Sequence, residues 1–195
     1  MALADPEEIS KRVIRVLRHE HVLMSVLAVL CGLLGGLSAI VFRELIELLQ
    51  WVFLGFTGEL VASDAARQPW WRMLLGPLAG GLLVGLFVHF VCKGRPAHGV
   101  AHVIEANALR GGFISLRDGL SSAFISAASI AAGASVGREG PAVHLGAMAA
   151  SVMSTKLGLR RAQMRTLLGC GVASAVAASF NAPIAGVFFA LEVVI

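Results

Sequence analysis

Charge is what this sequence has least of. Asp, Glu, Lys and Arg make up 14% of its 195 residues, against 57% hydrophobic, and the mean hydropathy is +0.81. A soluble domain is nearer a quarter charged and half apolar, so composition alone places the chain in a membrane. The net charge of +4 is small. Lys and Arg sit mainly in the connections between apolar segments, which makes them determinants of topology and argues against a nucleic-acid surface. Cysteine is scarce too. Cys31, Cys92 and Cys170 each lie in an apolar run, with no CxxC pair among them. They read as small buried thiols, which argues against a redox or zinc centre. No cleavable leader is visible either: the amino-terminus reads as polar and amphipathic, without a short apolar core and a small-residue cleavage site.

What is there is a series of apolar segments. Residues 5–19 read as a short amphipathic helix, with Ile9, Val13, Val16 and Leu17 on one face and Lys11, Arg12, Arg15 and Arg18 on the rest. Its positive charge puts it at the cytoplasmic interface. Val22 to Phe42 carries no charge and is long enough to span, and helical spacing continues to about Trp51 as a long, tilted helix. Gly32 and Gly36 stand four apart, as on a close-packing face. Gly55 to Pro69 reads as an outer loop edged by Trp51, Trp70 and Trp71. Met73 to Cys92 is a second span, with small-xxx-small spacings through Gly76, Gly80, Gly81 and Gly85.

Ala97 to Leu109 is too short to span and carries Glu105, as a half-helix dipping into the protein would. Leu116 to Ser135 is rich in Ala and Ser, which suits the inside of a helical bundle. Helices follow from about Ala142 to Leu157 and Ala162 to Ala178. A break at Phe180 to Pro183 precedes a last apolar segment, Ile184 to Ile195. The break offers either exposed backbone or a plain helix corner. The fold class expected is all-α: a polytopic membrane protein with tilted and broken helices, its membrane domain running over 20–195. The abrupt apolar ending reads as a cut through a larger membrane domain.

The stretch Gly133 to Gly146 is the exception to this apolar pattern. It sets Arg138 and Glu139 between glycines and Pro141, with long apolar segments on both sides. A carboxylate near the bilayer centre costs roughly 2.5–3.5 kcal/mol on insertion scales, so one placed here has a task. A helix starting at Gly137–Pro141 leaves first-turn N–H groups unpaired at the positive end of its dipole, which is a site for an anion. Pro141 has no N–H to lose there. Glu139 is itself a tethered anion able to enter that site. Attraction to a helix end is worth up to about 2 kcal/mol in a partly buried geometry, and desolvation opposes ionisation by a comparable amount. Neither wins outright, and such a balance suits a gate. The competing reading is a static pairing of Glu139 with a basic residue. Arg138 is expected to brace the loop, and His144 to be a packed histidine. His98 and His102 have the i,i+4 spacing of a metal pair, but no third ligand stands out, so no metal is assigned. Glu192 either is structural or lines a path for water and protons.

Gly137-Arg138-Glu139-Gly140-Pro141, followed by Val143-His144-Leu145-Gly146, resembles the GREGP or GKEGP signature of the CLC family of chloride channels and chloride–proton antiporters. Phe180-Asn181-Ala182-Pro183-Ile184-Ala185-Gly186 with Leu191-Glu192 is similar to that family's FNAPLAG…E stretch. The resemblance covers most of the chain and corresponds to the first of the family's two inverted halves. It implies a homodimeric, multi-pass membrane protein, of the bacterial inner-membrane type, with a cytoplasmic amino-terminus. Each subunit would carry a path for small inorganic anions, chloride first, between broken-helix amino-termini. Glu139 matches the gating glutamate, and the backbone of Gly137, Arg138, Glu139, Gly140 and Pro141 matches part of the anion site.

The chain departs from the family in three places. Ala97-His98-Gly99-Val100-Ala101 stands for the family's GSGIP, which places His98 and Gly99 at the inner anion site. Glu192 matches the first of two adjacent acidic positions of the exchangers, and Val193 takes the second, as in the channels. The second half, with its GxFxP loop and central tyrosine, is not in this sequence, which has no Tyr. The implied protein is not an enzyme and needs no cofactor beyond a bound halide. Its partners are lipid, small anions, protons if it exchanges them, a second copy and the missing half. The alternatives are a different broken-helix transporter for another anion, an intramembrane hydrolase using a serine and a histidine, and a fragment inactive without its other half.

Overall fold

Backbone amides in lipid must be satisfied inside their own segment, and glycine is tolerated in helices there because it lets neighbours approach closely. The computed structural model follows both rules. It describes residues 6–57, 63–64, 66–93 and 97–195, with side chains from residue 20 onward, and no described residue lies in a strand. The elements are α1 (Pro6–Leu54), α2 (Trp70–Phe90), α3 (Val100–Leu109), α4 (Leu116–Ala131), α5 (Glu139–Lys156), α6 (Arg161–Phe180) and α7 (Pro183–Phe189), which runs on into a π-helical turn at Ala190–Val194. Among the described residues, Glu20–Leu54 and Trp70–Phe90 are long and apolar enough to cross a membrane.

The short amphipathic helix expected before the first span has no break after it. The backbone is helical through residues 6–19 and straight on into the span, as one 49-residue helix. No glycine or proline interrupts residues 7–31, so nothing stops the helix where the polar residues end. Part of the expected outer loop, residues 58–62 and 65, lies outside the described residues, as do 94–96 at the end of the second span.

α5 and α6 are the central pair; α1 packs across both, and α2 lies outside against α1 and α4. Three glycines make the close approach possible. A Cβ on Gly146 would overlap the Gly171 carbonyl oxygen, and one on Gly171 would overlap that of Gly146. On α1 a Cβ at Gly35 would run into Ser174 and stand 2.7 Å from the same Gly171 oxygen. The small-residue face expected on α1 is therefore offset by one residue. Gly32 and Gly36 have nothing within 4 Å, whereas Gly35 sits at the contact, on the buried stripe Leu27, Cys31, Gly35, Ala39, Phe42. On α2, Gly76 meets the Phe53 backbone and Gly80 meets Ala132, while Gly81 and Gly85 stand open. The outward faces are apolar: Leu33, Leu78 and Leu82 are 66%, 66% and 63% exposed. A helix bare of polar groups on its outer side belongs in hydrocarbon.

The core runs through Val103, Ala127, Val143, Ala147, Leu168 and Val172, so α3, α4, α5 and α6 all close on it. α4 is buried along Ser122, Ala123, Ser126, Ala127 and Ala131, as an Ala- and Ser-rich bundle helix should be. It ends four residues earlier than expected, because Gly133 adopts φ +98 and turns the chain. The Phe180–Pro183 break is a helix corner. Asn181 caps α6 in the left-handed conformation, Pro183 opens α7, and both Asn181 and Ala182 donate back to the Ala177 carbonyl. Gly186 then lies so near α6 that a Cβ there would overlap the Ala173 carbonyl.

Candidate functional site

The chain leaves α4 through a loop that ends at Gly137, with φ +69, a value that favours glycine. α5 begins directly after it, at Glu139. The expected break is present, and the helix starts three residues before the start expected at Ala142. Glu139, Gly140 and Pro141 form the first turn, with Arg138 as N-cap residue making no side-chain cap bond. The first backbone bond to close is Ala142 N–H to the Arg138 carbonyl, at 3.2 Å. The amides of Glu139 and Gly140 thus belong to the set that a helix start leaves without intrahelical partners. The Glu139 carboxylate is exposed and turned back over the loop, its Oε2 2.8 Å from where a Gly137 Cβ would be.

A second helix start meets this one. Gly99 is the N-cap of α3, and a Cβ built on either Gly99 or Gly140 would stand 3.9 Å from the Cα of the other. Two helix amino-termini therefore abut through two glycines, and their dipoles both point positive ends into the same small region. The approach to Gly99 is fixed by Ser122 of α4. Its Oγ accepts from the His98 N–H at 2.6 Å and donates to the His98 carbonyl at 2.9 Å. The loop after α3 is tied down as well: Ile114 N–H donates to Ser151 Oγ of α5 at 2.8 Å.

Beside the paired starts are three imidazoles. His98 stacks on His102 with ring centroids 4.1 Å apart. His102 Nδ1 lies 2.9 Å from Nε2 of the buried His144 on α5. Arg110 reaches His102 Nε2 at 3.3 Å and pairs with Glu105 at 2.6 Å. The open side is a cavity of about 480 Å³, lined by His98, Gly99, His102, Glu105, Arg110 and Asp118 among others. The sequence offered only the His98–His102 spacing. His144 is indeed packed, but against His102 from a different helix, and Ser122 gave no sequence signal at all.

The remaining candidates lie apart. Arg138 is exposed and lines a separate, larger groove of about 790 Å³ with Arg43, Glu44 and Glu47 of α1. Glu192 is exposed on the π-helical turn and lines neither cavity. That turn is held instead by Asn107, whose Nδ2 donates to the Val194 carbonyl while its Oδ1 accepts from Arg165 Nε at 3.0 Å. Gly133-Ala134-Ser135-Val136-Gly137 also spells Gly-x-Ser-x-Gly, which bears on the hydrolase alternative. A nucleophile elbow needs a strand leading into the serine, and here α4 precedes it. No hydrogen bond joins Ser135 to any of the three clustered histidines.

An all-helical membrane protein with a helix interrupted at a glycine–glutamate–proline start and set against a second helix start is the class this fold defines. The chain belongs to the voltage gated chloride channel family, whose model matches residues 80–195. It is 42% identical over 177 residues to a putative chloride channel protein ClcB-like of Ralstonia nicotianae, covering 88% of this chain and 41% of that protein. It is 33% identical over 174 residues to the voltage-gated ClC-type chloride channel ClcB of Salmonella typhimurium, and equally to that of Escherichia coli O81, covering 86% of this chain and 40% of each. The chain thus spans about two fifths of the length of the curated relatives it matches.

Proposed function

We propose that this chain supplies one side of a path for small inorganic anions, chloride first, and that the rest of the path comes from the part of the fold its relatives carry beyond it. One observation carries the reading: two helix amino-termini, at Gly99 and Glu139–Gly140, abut through glycines. Such a region suits an anion, or a carboxylate in its place. The chloride-channel names of the relatives support the choice of ion. Gly137, Arg138, Gly140 and Pro141 provide the outer backbone of the site, and His98 and Gly99 the inner. Glu139 is the gate: its carboxylate competes with the ion for the same first-turn amides.

The working protein in this reading is a homodimer in the bacterial inner membrane with a cytoplasmic amino-terminus. Residues 6–19 carry α1 out of the membrane on the cytoplasmic side, and 20–195 form the first half of the membrane domain. Val193 beside Glu192 favours a path that does not send protons through that position.

The test is flux in proteoliposomes holding the full-length protein. Glu139→Ala removes the competing carboxylate, so chloride uptake should rise at neutral pH and its dependence on pH should flatten. Unchanged uptake with an unchanged pH profile removes Glu139 from the gate. A proton-sensitive dye inside the vesicles, read during chloride uptake, decides between channel and exchanger.

A further inference from the structure

We propose that His98, His102 and His144 together form a proton-binding site whose occupancy strengthens anion binding at the paired helix starts. The inference deepens the anion-path reading and rests on it.

The hydrogen bonds fix the neutral state. A guanidinium can only donate, so at 3.3 Å from Arg110 the Nε2 of His102 is the acceptor. The hydrogen of His102 is then on Nδ1, and it is donated across 2.9 Å to Nε2 of His144. The chain runs in one direction: Arg110 to His102 to His144. Adding a proton to His102 at Nε2 would set N–H against N–H, and Arg110 would have to swing away onto Glu105, which it already holds at 2.6 Å. His144 already accepts at Nε2 and is 1% exposed, so a charge there would be buried. His98 is the ring left to take the proton. It is half-buried and lines the open cavity, and among the described residues its ring makes no hydrogen bond, only ring contacts with His102 and His144.

The cluster holds a single proton. With centroids 4.1 Å apart for His98–His102 and 5.7 Å for His98–His144, a second imidazolium would be strongly repelled. The charged groups facing the cluster are Arg110 and Glu105 at the end of α3 and Asp118 of α4, which line the same cavity, with His144 from α5. The proton comes from water in the open cavity and returns there, with no other bond made or broken.

Its effect on the anion follows from position. His98 immediately precedes Gly99, the residue that abuts Gly140. An imidazolium here adds a full positive charge to two helix-dipole ends, so proton and anion each favour the other's binding by the same factor. The sign is fixed. The bound anion raises the proton affinity of the cluster. The gain in anion affinity is complete below the pKa of the anion-free cluster and is lost as pH rises through that of the anion-bound one.

The experiment uses the full-length protein in nanodiscs with Glu139→Gln as background, because Glu139 would add a pH dependence of its own. Chloride binding is measured by calorimetry at pH 5.5 and pH 8, and the histidine rings are titrated by nitrogen NMR in chloride and in gluconate. We expect chloride to bind at least about fivefold tighter at the lower pH. Chloride should raise the midpoint of the ring titration, and His98→Gln should abolish the pH difference. A pH difference that survives in both His98→Gln and His102→Gln, or ring titrations indifferent to chloride, overturns the proton site. Failure of chloride to bind at either pH in the background protein overturns the anion reading itself, which is a separate outcome.

Discussion

Replacing Gly146 by alanine tests whether the α5–α6 crossing sets the geometry of the site. The new Cβ would stand 2.7 Å from the Ala175 Cβ and overlap the Gly171 carbonyl oxygen. Carbon atoms in ordinary contact are about 3.5–4.0 Å apart, so the two helices must part by about 1 Å. Overpacking of this kind costs about 1–3 kcal/mol, and the helix-propensity gain of alanine over glycine returns about 0.5–1 kcal/mol. The net loss expected is about 1–2 kcal/mol, a factor of about 5–30 in the folded-to-unfolded ratio. The displacement also reaches Gly140, in the first turn of the same helix, so chloride affinity should fall along with stability. The assay is reversible unfolding of the full-length protein in mixed micelles, followed by tryptophan fluorescence, with chloride calorimetry on the same samples. Gly32→Ala and Gly81→Ala are the controls. Neither position has an atom within 4 Å, so both should be neutral or gain up to about 1 kcal/mol. Gly146→Ala as stable as Gly32→Ala, with unchanged chloride affinity, would refute the crossing as the element that positions the site.

Ser122→Ala removes both bonds that hold the His98 peptide. It should cost about 1–3 kcal/mol in unfolding and weaken chloride binding more than a stability loss alone, which calorimetry at a temperature where the variant is fully folded would read. Ser154→Ala should raise stability by about 1 kcal/mol, since the Ser154 hydroxyl is buried without a hydrogen-bond partner; unfolding in micelles measures it. Asn107→Ala cuts the ties to Val194 and Arg165. It should destabilise by about 1–3 kcal/mol and speed hydrogen exchange in residues 190–194 ahead of the core.

The helix start at Glu139 was legible because its cause is local. Glycine, an acidic residue and proline within five positions break one helix and open the next wherever they stand. The half-length α3 was legible for the same reason, from its length between breakers. The register of the small-residue face was not. Gly32, Gly35 and Gly36 are alike in sequence, and only the position of Ser174 and Gly171 on another helix selects Gly35. The histidine cluster was hidden for a related reason. His102 and His144 stand 42 positions apart with all of α4 between them, and no periodicity reports that the two rings meet. The continuity of α1 was missed because a change from polar to apolar residues looks like a boundary, whereas the backbone needs a breaker to stop.

The glycine node has a consequence for how this protein feels its membrane. The membrane-crossing stretch of α1, Glu20–Leu54, has 35 residues with Arg43, Glu44 and Glu47 near its end, about 52 Å at the rise of an α-helix, against about 30 Å of hydrocarbon. α2, with 21 residues, is about 31 Å long and matches it closely. A change in bilayer thickness therefore falls mainly on α1, which must lean further in a thin membrane. Side chains could absorb part of that movement, but at Gly35 there is none: backbone rests on backbone at Gly171, which in turn rests on Gly146. Lipid length is thus geared directly to the helix that begins at Glu139, and the acyl chains around the protein become a control on the ion site proposed there.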